Sequence, residues 1–169
     1  AVALRALGRP GEALAYQQAA VNQAPRDPAT LGNLAGAYYE AGALMEAADL
    51  YAQALALDGR NAGLLNNFAL TLQAMGRVDD AEACFDAAAA ADPAYAAPLD
   101  NLGTLLMLRG KPAQAAARHR AALAVDPLHA NAWNNLGNAL AATGGKTAAF
   151  KSWRNAVALR PDLAEAWTN

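Results

Sequence analysis

Residues 28–61, PATLGNLAGAYYEAGALMEAADLYAQALALDGRN, decide the fold because the rest of the chain repeats them. When the sequence is compared with itself at a shift of 34 residues, the same residue types return at the same places. One glycine and one alanine recur in each copy, in the series Gly8, Gly42, Gly76, Gly110 and Gly144 and the series Ala13, Ala47, Ala81, Ala115 and Ala149. A fixed period of about 34 residues is typical of an array of helical repeats.

Each period divides at its glycine into two amphipathic helices. In the first half, Leu31, Leu34 and Tyr38 lie three or four residues apart, as in a helix that buries one face. Gly42 follows, and glycine adopts at least cost the left-handed conformation in which many helices end. A second apolar stripe, which includes Tyr51, comes after it. The sequence therefore predicts helix–turn–helix units at 28–61, 62–95, 96–129 and 130–163, a partial unit at 1–27 and the start of another at 164–169.

Composition and charge exclude several classes of function. The net charge of -2 provides no basic surface field, so we expect no nucleic acid partner. No apolar run approaches the roughly 20 residues of a membrane span, so we expect no direct membrane insertion. The single cysteine excludes a disulfide framework within the chain. Arginine outnumbers lysine, which is typical of a GC-rich bacterial source, and the localisation stays open with the cytoplasm as the default.

No residue pattern indicates catalysis. His119 and His129 do not have the i, i+4 spacing of a helical metal site, and His119 replaces an aromatic residue of the repeat, so we expect it to pack. Cys84 has no CxxC partner and is expected to fill space on its helix. Residues 144–147, GGKT, resemble the end of a phosphate-binding loop but lack its earlier glycine and its strand. We therefore predict that this chain alone is not an enzyme and requires no metal or cofactor.

The repeat unit resembles the tetratricopeptide repeat family. The residues that carry this resemblance recur at the spacing of that family in the copy at 130–163, and they are Trp133, Asn135, Leu136, Gly137, Leu140, Gly144, Ala149, Trp153, Ala156 and Pro161. The resemblance covers the whole chain. It implies an all-α fold, a right-handed solenoid of stacked antiparallel helix pairs. It also implies that the first helices line a concave groove and the second helices form the outer wall.

A series of asparagines is the main candidate for binding. One asparagine lies in the first helix of each pair, in the series Asn33, Asn67, Asn101, Asn135 and Asn169. In the implied groove these side chains would form a ladder. An asparagine side chain offers one acceptor and two donors, so it can pair with the N–H and C=O of a peptide of any sequence. We predict peptide contacts from Asn33, Asn67, Asn101 and Asn135, together with Asn66, Asn134, Asn138, Tyr39, Leu70 and Met107.

The predicted groove is not suited to a strongly acidic ligand. Tetratricopeptide repeats that bind the acidic C-termini of chaperones neutralise those carboxylates with lysine and arginine on their concave helices. The matching positions here hold Gly32, Asn66, Asp100 and Asn134. We therefore expect a protein or peptide partner that is extended and not strongly acidic.

Three functions agree with these observations, and the leading hypothesis is a protein–protein interaction module that binds an extended peptide in its groove. The complete ladder resembles the repeat arm of protein O-linked N-acetylglucosamine transferases, which implies a substrate-recognition arm of a larger enzyme as an alternative. The chain begins and ends within a repeat, so end-to-end self-association as a scaffold is a third hypothesis. Asparagine at this position can also serve the fold by bonding neighbouring helices, and the sequence leaves both roles open.

Overall fold

The computed structural model describes residues 10–161, with side chains from residue 14 onward. In this part of the chain every regular element is an α-helix. The nine helices are α1 (Pro10–Gln23), α2 (Pro28–Glu40), α3 (Leu44–Leu57), α4 (Ala62–Ala74), α5 (Val78–Ala91), α6 (Ala96–Leu108), α7 (Pro112–Val125), α8 (Ala130–Ala142) and α9 (Lys146–Leu159). From α2 onward, corresponding helices of successive pairs begin 34 residues apart.

The turn inside each helix pair requires a glycine. Gly42, Gly76, Gly110 and Gly144 have positive φ angles of 78°, 76°, 68° and 84°. The amide of the next residue donates back to the end of the first helix, as Ala43 N does to Tyr38 O over 2.9 Å. A Cβ added at these glycines would meet no atom within 4 Å, so the backbone conformation rather than space requires glycine. The predicted role of this series is confirmed at these four positions, and Gly8 lies outside the described residues.

Side chains at the turns between pairs start the first helices. The Asp27 carboxylate accepts a hydrogen bond from the Thr30 amide over 2.9 Å. The Asn61 amide oxygen likewise accepts from the Leu64 amide over 3.1 Å. Such caps satisfy amides that have no partner within the helix. The second helix α7 instead begins at Pro112, where the missing amide costs no helical hydrogen bond.

The described residues form two compact units, a first unit within residues 1–91 and a second unit within residues 92–169. In the first unit, α2 packs on α3, α4 packs on α5, and α2 and α3 both contact α4. Ala35, Ala47 and Ala54 are fully buried, and their small side chains let the helices approach closely. Leu31 and Tyr51 complete this core.

The second unit brings its helices together at glycine. Here α6 packs on α7, α8 packs on α9, and both α6 and α7 contact α8. A Cβ added at Gly103 would lie 2.5 Å from Cε1 of His119, and one at Gly137 would overlap the indole ring of Trp153. The rings of His119 and Trp153 therefore fit against the first helix of their pair only because the facing residue of that helix is glycine. The predicted helix-pair architecture is confirmed, whereas the boundaries of the whole array stay a prediction.

Candidate functional site

The asparagine ladder has different surroundings in the two units. Asn33 and Asn67 are exposed on α2 and α4 of the first unit, two helices that contact each other. Among the described residues, the Asn33 side chain makes no hydrogen bond, and Asn67 Oδ1 accepts one from Asn66 Nδ2 over 3.2 Å. Asn101 and Asn135 are half-buried on α6 and α8 of the second unit. The fifth member, Asn169, lies outside the described residues.

Asn135 is held by a buried carboxylate. Its Nδ2 donates to Asp100 on the neighbouring helix α6, at 3.2 Å from Oδ2 and 3.4 Å from Oδ1. His119 Nδ1 lies 2.6 Å from Asp100 Oδ1, and His129 Nε2 lies 3.8 Å from Asp100 Oδ2. We name Asp100, His119, His129 and Asn135 the Asp100 cluster. Because Asp100 is 6% exposed, these partners replace the water that an ionised carboxylate would otherwise require.

His119 is a packing residue with a polar role as well. Its ring is fully buried against Gly103, which confirms the packing role predicted from the sequence. A carboxylate can only accept, so His119 Nδ1 donates to Asp100, and Nε2 is buried without a hydrogen-bond partner among the described residues. This pair was not predicted from the sequence. A signal was present, because Asp100 and His119 both depart from their repeat-equivalent residues within the same repeat.

Three of the other predicted contact residues are engaged in the packing of the helices. Asn66 and Asn134 are each 3% exposed. Asn138 is half-buried and its Oδ1 accepts a hydrogen bond from Trp153 Nε1 over 3.0 Å. A peptide could reach Asn66 or Asn134 only if the surrounding helices moved apart, so the predicted contacts from these two residues do not fit the folded helices.

A pocket in the first unit brings three predicted residues together. It has a volume of about 240 Å³ and is lined by Gly36, Tyr39, Glu40, Tyr51, Asn67 and Leu70. Helix α2 supplies Tyr39, which is 36% exposed, and α4 supplies Asn67 and Leu70. The pocket therefore combines apolar walls with an exposed amide. Met107 belongs to the second unit, where it is half-buried on α6.

The described residues hold no arrangement suited to metal or thiol chemistry. No three His, Cys, Asp or Glu side chains in residues 14–161 converge as a group that could bind a metal ion. Burial, followed by the Asp80 carboxylate, raises the pKa of the Cys84 thiol, and the Arg77 guanidinium lowers it by less. Since the thiolate is the reactive form, this environment suppresses reactivity. No described helix is long and apolar enough to cross a membrane.

Family comparisons agree with the helix pairs. A family model of the tetratricopeptide repeat matches residues 1–62 and 101–164, and a second model of the same repeat matches residues 62–91. The chain belongs to the tetratricopeptide repeat family. The family and the all-α solenoid fold predicted from the sequence are therefore confirmed. No curated protein matches the chain significantly.

Solved structures share this tetratricopeptide repeat fold at low sequence identity. TTC0263, a thermophilic TPR protein of Thermus thermophilus, is 22% identical with a TM-score of 0.82 over 99% of this chain and 91% of that chain. YrrB, described as a TPR protein with an unusual peptide-binding site, is 21% identical with a TM-score of 0.73 over 98% of this chain and 85% of that chain. PilF of Pseudomonas aeruginosa is 21% identical with a TM-score of 0.87 over 98% of this chain and 75% of that chain.

The family bears on function only at a coarse level. Tetratricopeptide repeats generally provide a scaffold for protein interactions rather than a catalytic centre. The match therefore supports a protein-interaction module, which is the general form of the function predicted from the sequence.

Proposed function

We propose that the first unit binds an extended peptide segment of a partner protein along α2 and α4. The observation that carries this proposal is the pocket of about 240 Å³ in which Tyr39, Asn67 and Leu70 meet. All three were predicted from the sequence as peptide contacts, Asn67 as a member of the ladder and Tyr39 and Leu70 as residues near it. Their convergence supplies an amide that can bond a peptide backbone beside a space that can hold a side chain.

The backbone of the peptide would be held by Asn33 and Asn67. Both side chains are exposed, and their helices lie next to each other. Asn67 Oδ1 already accepts from Asn66, so Asn67 Nδ2 remains to donate to a peptide carbonyl. Asn33 has both its donor and its acceptor available for an N–H and a C=O of the peptide. Asn135 has a smaller role in this proposal because it donates to Asp100.

The pocket would select the side chain that enters it. Tyr39 and Leu70 provide apolar surface, and Glu40 places a carboxylate at the pocket. An acidic side chain would be repelled by Glu40, whereas a neutral or basic side chain would not. The preferred ligand is therefore an extended segment with a neutral or basic residue at this point, in agreement with the partner predicted from the sequence.

Several contacts must act together to give useful affinity. A hydrogen bond contributes about 1 kcal/mol net, whereas micromolar binding corresponds to about 8 kcal/mol. Two asparagines are therefore insufficient alone, and the apolar walls of the pocket must supply the larger share. Peptide binding is a property that this fold accommodates, since YrrB is described as having a peptide-binding site.

A peptide-display screen on three proteins tests the proposal. The first is the chain as it stands, the second carries Asn33→Ala and Asn67→Ala, and the third carries Tyr39→Ala and Leu70→Ala. We expect the asparagine variant to bind all selected peptides about tenfold more weakly or worse, because the backbone hydrogen bonds of both asparagines are lost. We expect the pocket variant to change which peptides are selected, because it alters the space for one side chain.

Gln53→Ala provides the matched control, because Gln53 is an exposed amide on the second helix α3 of the same unit. It should bind like the wild type, and circular dichroism should show equal helicity for all variants. Unchanged affinity and unchanged peptide selection in both test variants would remove α2 and α4 as the binding surface. The alternative, a substrate-recognition arm of a larger glycosyltransferase, stays a prediction, since no described residue distinguishes it.

A further inference from the structure

The two units carry net charges of opposite sign. Residues 1–91 contain ten Asp and Glu against five Lys and Arg, a net charge of -5, and residues 92–169 contain five against eight, a net charge of +3. Together these values give the net charge of -2 of the whole chain. The nearly neutral total therefore conceals one acidic part and one basic part.

The difference is concentrated on the exposed surface of the second helices. Asp49 on α3 is exposed, and its repeat equivalent on α9 is the exposed Lys151. Asp86 on α5 is exposed, and its equivalents on α7 and α9 are the exposed Arg120 and Arg154. Thus the same outward positions of the repeat change sign between the units. We name the exposed residues Glu46, Asp49 and Asp86 the acidic face and the exposed residues Arg120, Lys151 and Arg154 the basic face.

Helix stability explains little of this pattern. Glu46 lies in the first turn of α3, where a carboxylate favours the helix dipole. Asp49 and Asp86 lie beyond the first turn of their helices, where the dipole no longer acts on them. No cation of α7 or α9 lies in the last turn, where a basic side chain would stabilise its helix. The helix dipole therefore does not account for Asp49, for Asp86 or for the cations of the basic face.

We propose that the acidic face of one copy of this chain binds the basic face of a second copy. The chain itself carries both halves of the contact, so a second copy offers the required charges at a matching spacing. Glu46 and Asp49 are three residues apart on α3, and Lys151 and Arg154 are three residues apart on α9. With α3 and the partner's α9 antiparallel, Glu46 faces one cation of that helix while Asp49 faces the other.

Small apolar side chains allow such a contact to close. Ala56, Ala90, Ala124 and Ala158 occupy one repeat position in the second helices α3, α5, α7 and α9, and all four are exposed. Exposed ion pairs stabilise weakly because water and salt screen them, so buried alanine surface must contribute as well. The expected association is therefore weak and strongly dependent on salt. It involves the second helices, and so it differs from the end-to-end contact predicted from the truncated repeats.

Sedimentation velocity on the full chain tests this proposal. We expect the average mass to rise with protein concentration at low salt. We expect it to return to that of the monomer in about 1 M salt, where the Debye length falls to about 3 Å. A chain that stays monomeric at every concentration in low salt overturns the proposal. Binding of that monomer to vesicles containing phosphatidylserine would assign the basic face to a membrane surface instead and would also overturn it.

Two charge-reversal variants make the test specific. Glu46→Lys with Asp49→Lys leaves α3 and α9 basic, and Lys151→Glu with Arg154→Glu leaves them acidic. We expect each variant alone to associate about tenfold more weakly than the wild type, and a mixture of the two to form a mixed complex. Unchanged association of both variants, or no complex in the mixture, contradicts the pairing.

Two matched controls distinguish the effect of the charged faces on association from the effect of net charge and from peptide binding along α2 and α4. Arg26→Glu with Arg60→Glu changes the net charge as much as the Lys151 and Arg154 reversal does, but both residues are exposed in turns between helices. This control should associate like the wild type. The variant with Asn33→Ala and Asn67→Ala should also associate normally, because peptide binding and self-association use different helices. Loss of association in either control contradicts the proposal.

Discussion

The first helices of the two units place the same asparagine in different surroundings. In the first unit Asn33 and Asn67 are exposed, and Asn67 borders a pocket. In the second unit Asn135 is half-buried and donates to Asp100, which also contacts His119. An uninterrupted residue series therefore does not have one role along its length. The role of each asparagine depends on whether a residue of the neighbouring repeat supplies a buried hydrogen-bond partner, as Asp100 does for Asn135.

The packing inside the helix pairs differs in the same way. At equivalent positions of the first helices, the first unit has Ala35 and Ala69, whereas the second unit has Gly103 and Gly137. The rings of His119 and Trp153 occupy the space that a Cβ would need at these glycines. Each repeat thus fills a similar volume with a different pair of residues. Exchanging these pairs between repeats tests whether they stabilise the helix pair equally.

The largest effect is expected when the space at Gly137 is filled. Gly137→Leu should lower the free energy of unfolding by about 3 kcal/mol, because the added side chain overlaps the Trp153 indole. The measurement is urea denaturation followed by circular dichroism. Gly137→Ala combined with Trp153→Phe reproduces the pair found at Ala69 and Phe85. This double variant should be less destabilised than the sum of its single changes. Strict additivity would show that the ring and the glycine do not compete for space.

Breaking the Asp100 cluster should have the next largest effect. Asp100→Ala leaves the buried Nδ1–H of His119 without its acceptor, which should cost about 2 kcal/mol in unfolding free energy. Asp100→Asn with His119→Phe reproduces the residues at Asn66 and Phe85 and should stay within about 1 kcal/mol of the wild type. A double variant as unstable as Asp100→Ala would show that the repeats are not interchangeable at these positions.

The asparagines themselves should differ by a smaller amount. Asn135→Ala removes a hydrogen bond to a buried carboxylate and should cost about 1 kcal/mol of stability. Asn33→Ala should change stability by less than about 0.5 kcal/mol, because the side chain is exposed and bonds to no described residue. Equal losses in the two variants would mean that both asparagines serve the fold alike.

The smallest effect is expected for the rate at which a thiol is alkylated when it occupies the same repeat position in one unit or in the other. Because burial raises the pKa of Cys84, its alkylation by iodoacetamide should be slow near neutral pH and should accelerate as the pH rises. Ser152 is the equivalent residue in the second unit and is 3% exposed, so Cys84→Ala with Ser152→Cys should react more slowly still. Faster labelling of that variant than of the wild type would contradict the deeper burial of position 152.

The raised pKa of Cys84 also has a consequence for stability. The folded chain retains the thiol proton at a pH where the unfolded chain loses it. The contribution of Cys84 to stability is therefore fully present below the pKa of the thiol in the unfolded chain, and it is lost as the pH rises through the higher pKa of the folded chain. Thermal unfolding of wild type and Cys84→Ala across this range measures the difference, and parallel curves would contradict it.

Part of the candidate site was predictable from the sequence. Asn33 and Asn67 lie off the apolar stripe of an amphipathic helix, so their exposure follows from periodicity alone. The burial of Asn66 and Asn134 does not, because it depends on which neighbouring helix covers the next position. The Asp100–His119 contact joins residues 19 positions apart on two helices, and no local pattern sets that distance.

The sequence by itself determined the helix pairs and their turns. Helix periodicity and the left-handed conformation of Gly42 are local properties, so they follow from a stretch of a few residues and repeat with it. Only the tertiary structure decided that Asn66 and Asn134 are buried and that Asn135 donates to Asp100. The tertiary structure also decided that Tyr39 and Leu70 line one pocket. These features depend on how closely neighbouring helices approach, and the side chains of several repeats set that approach together.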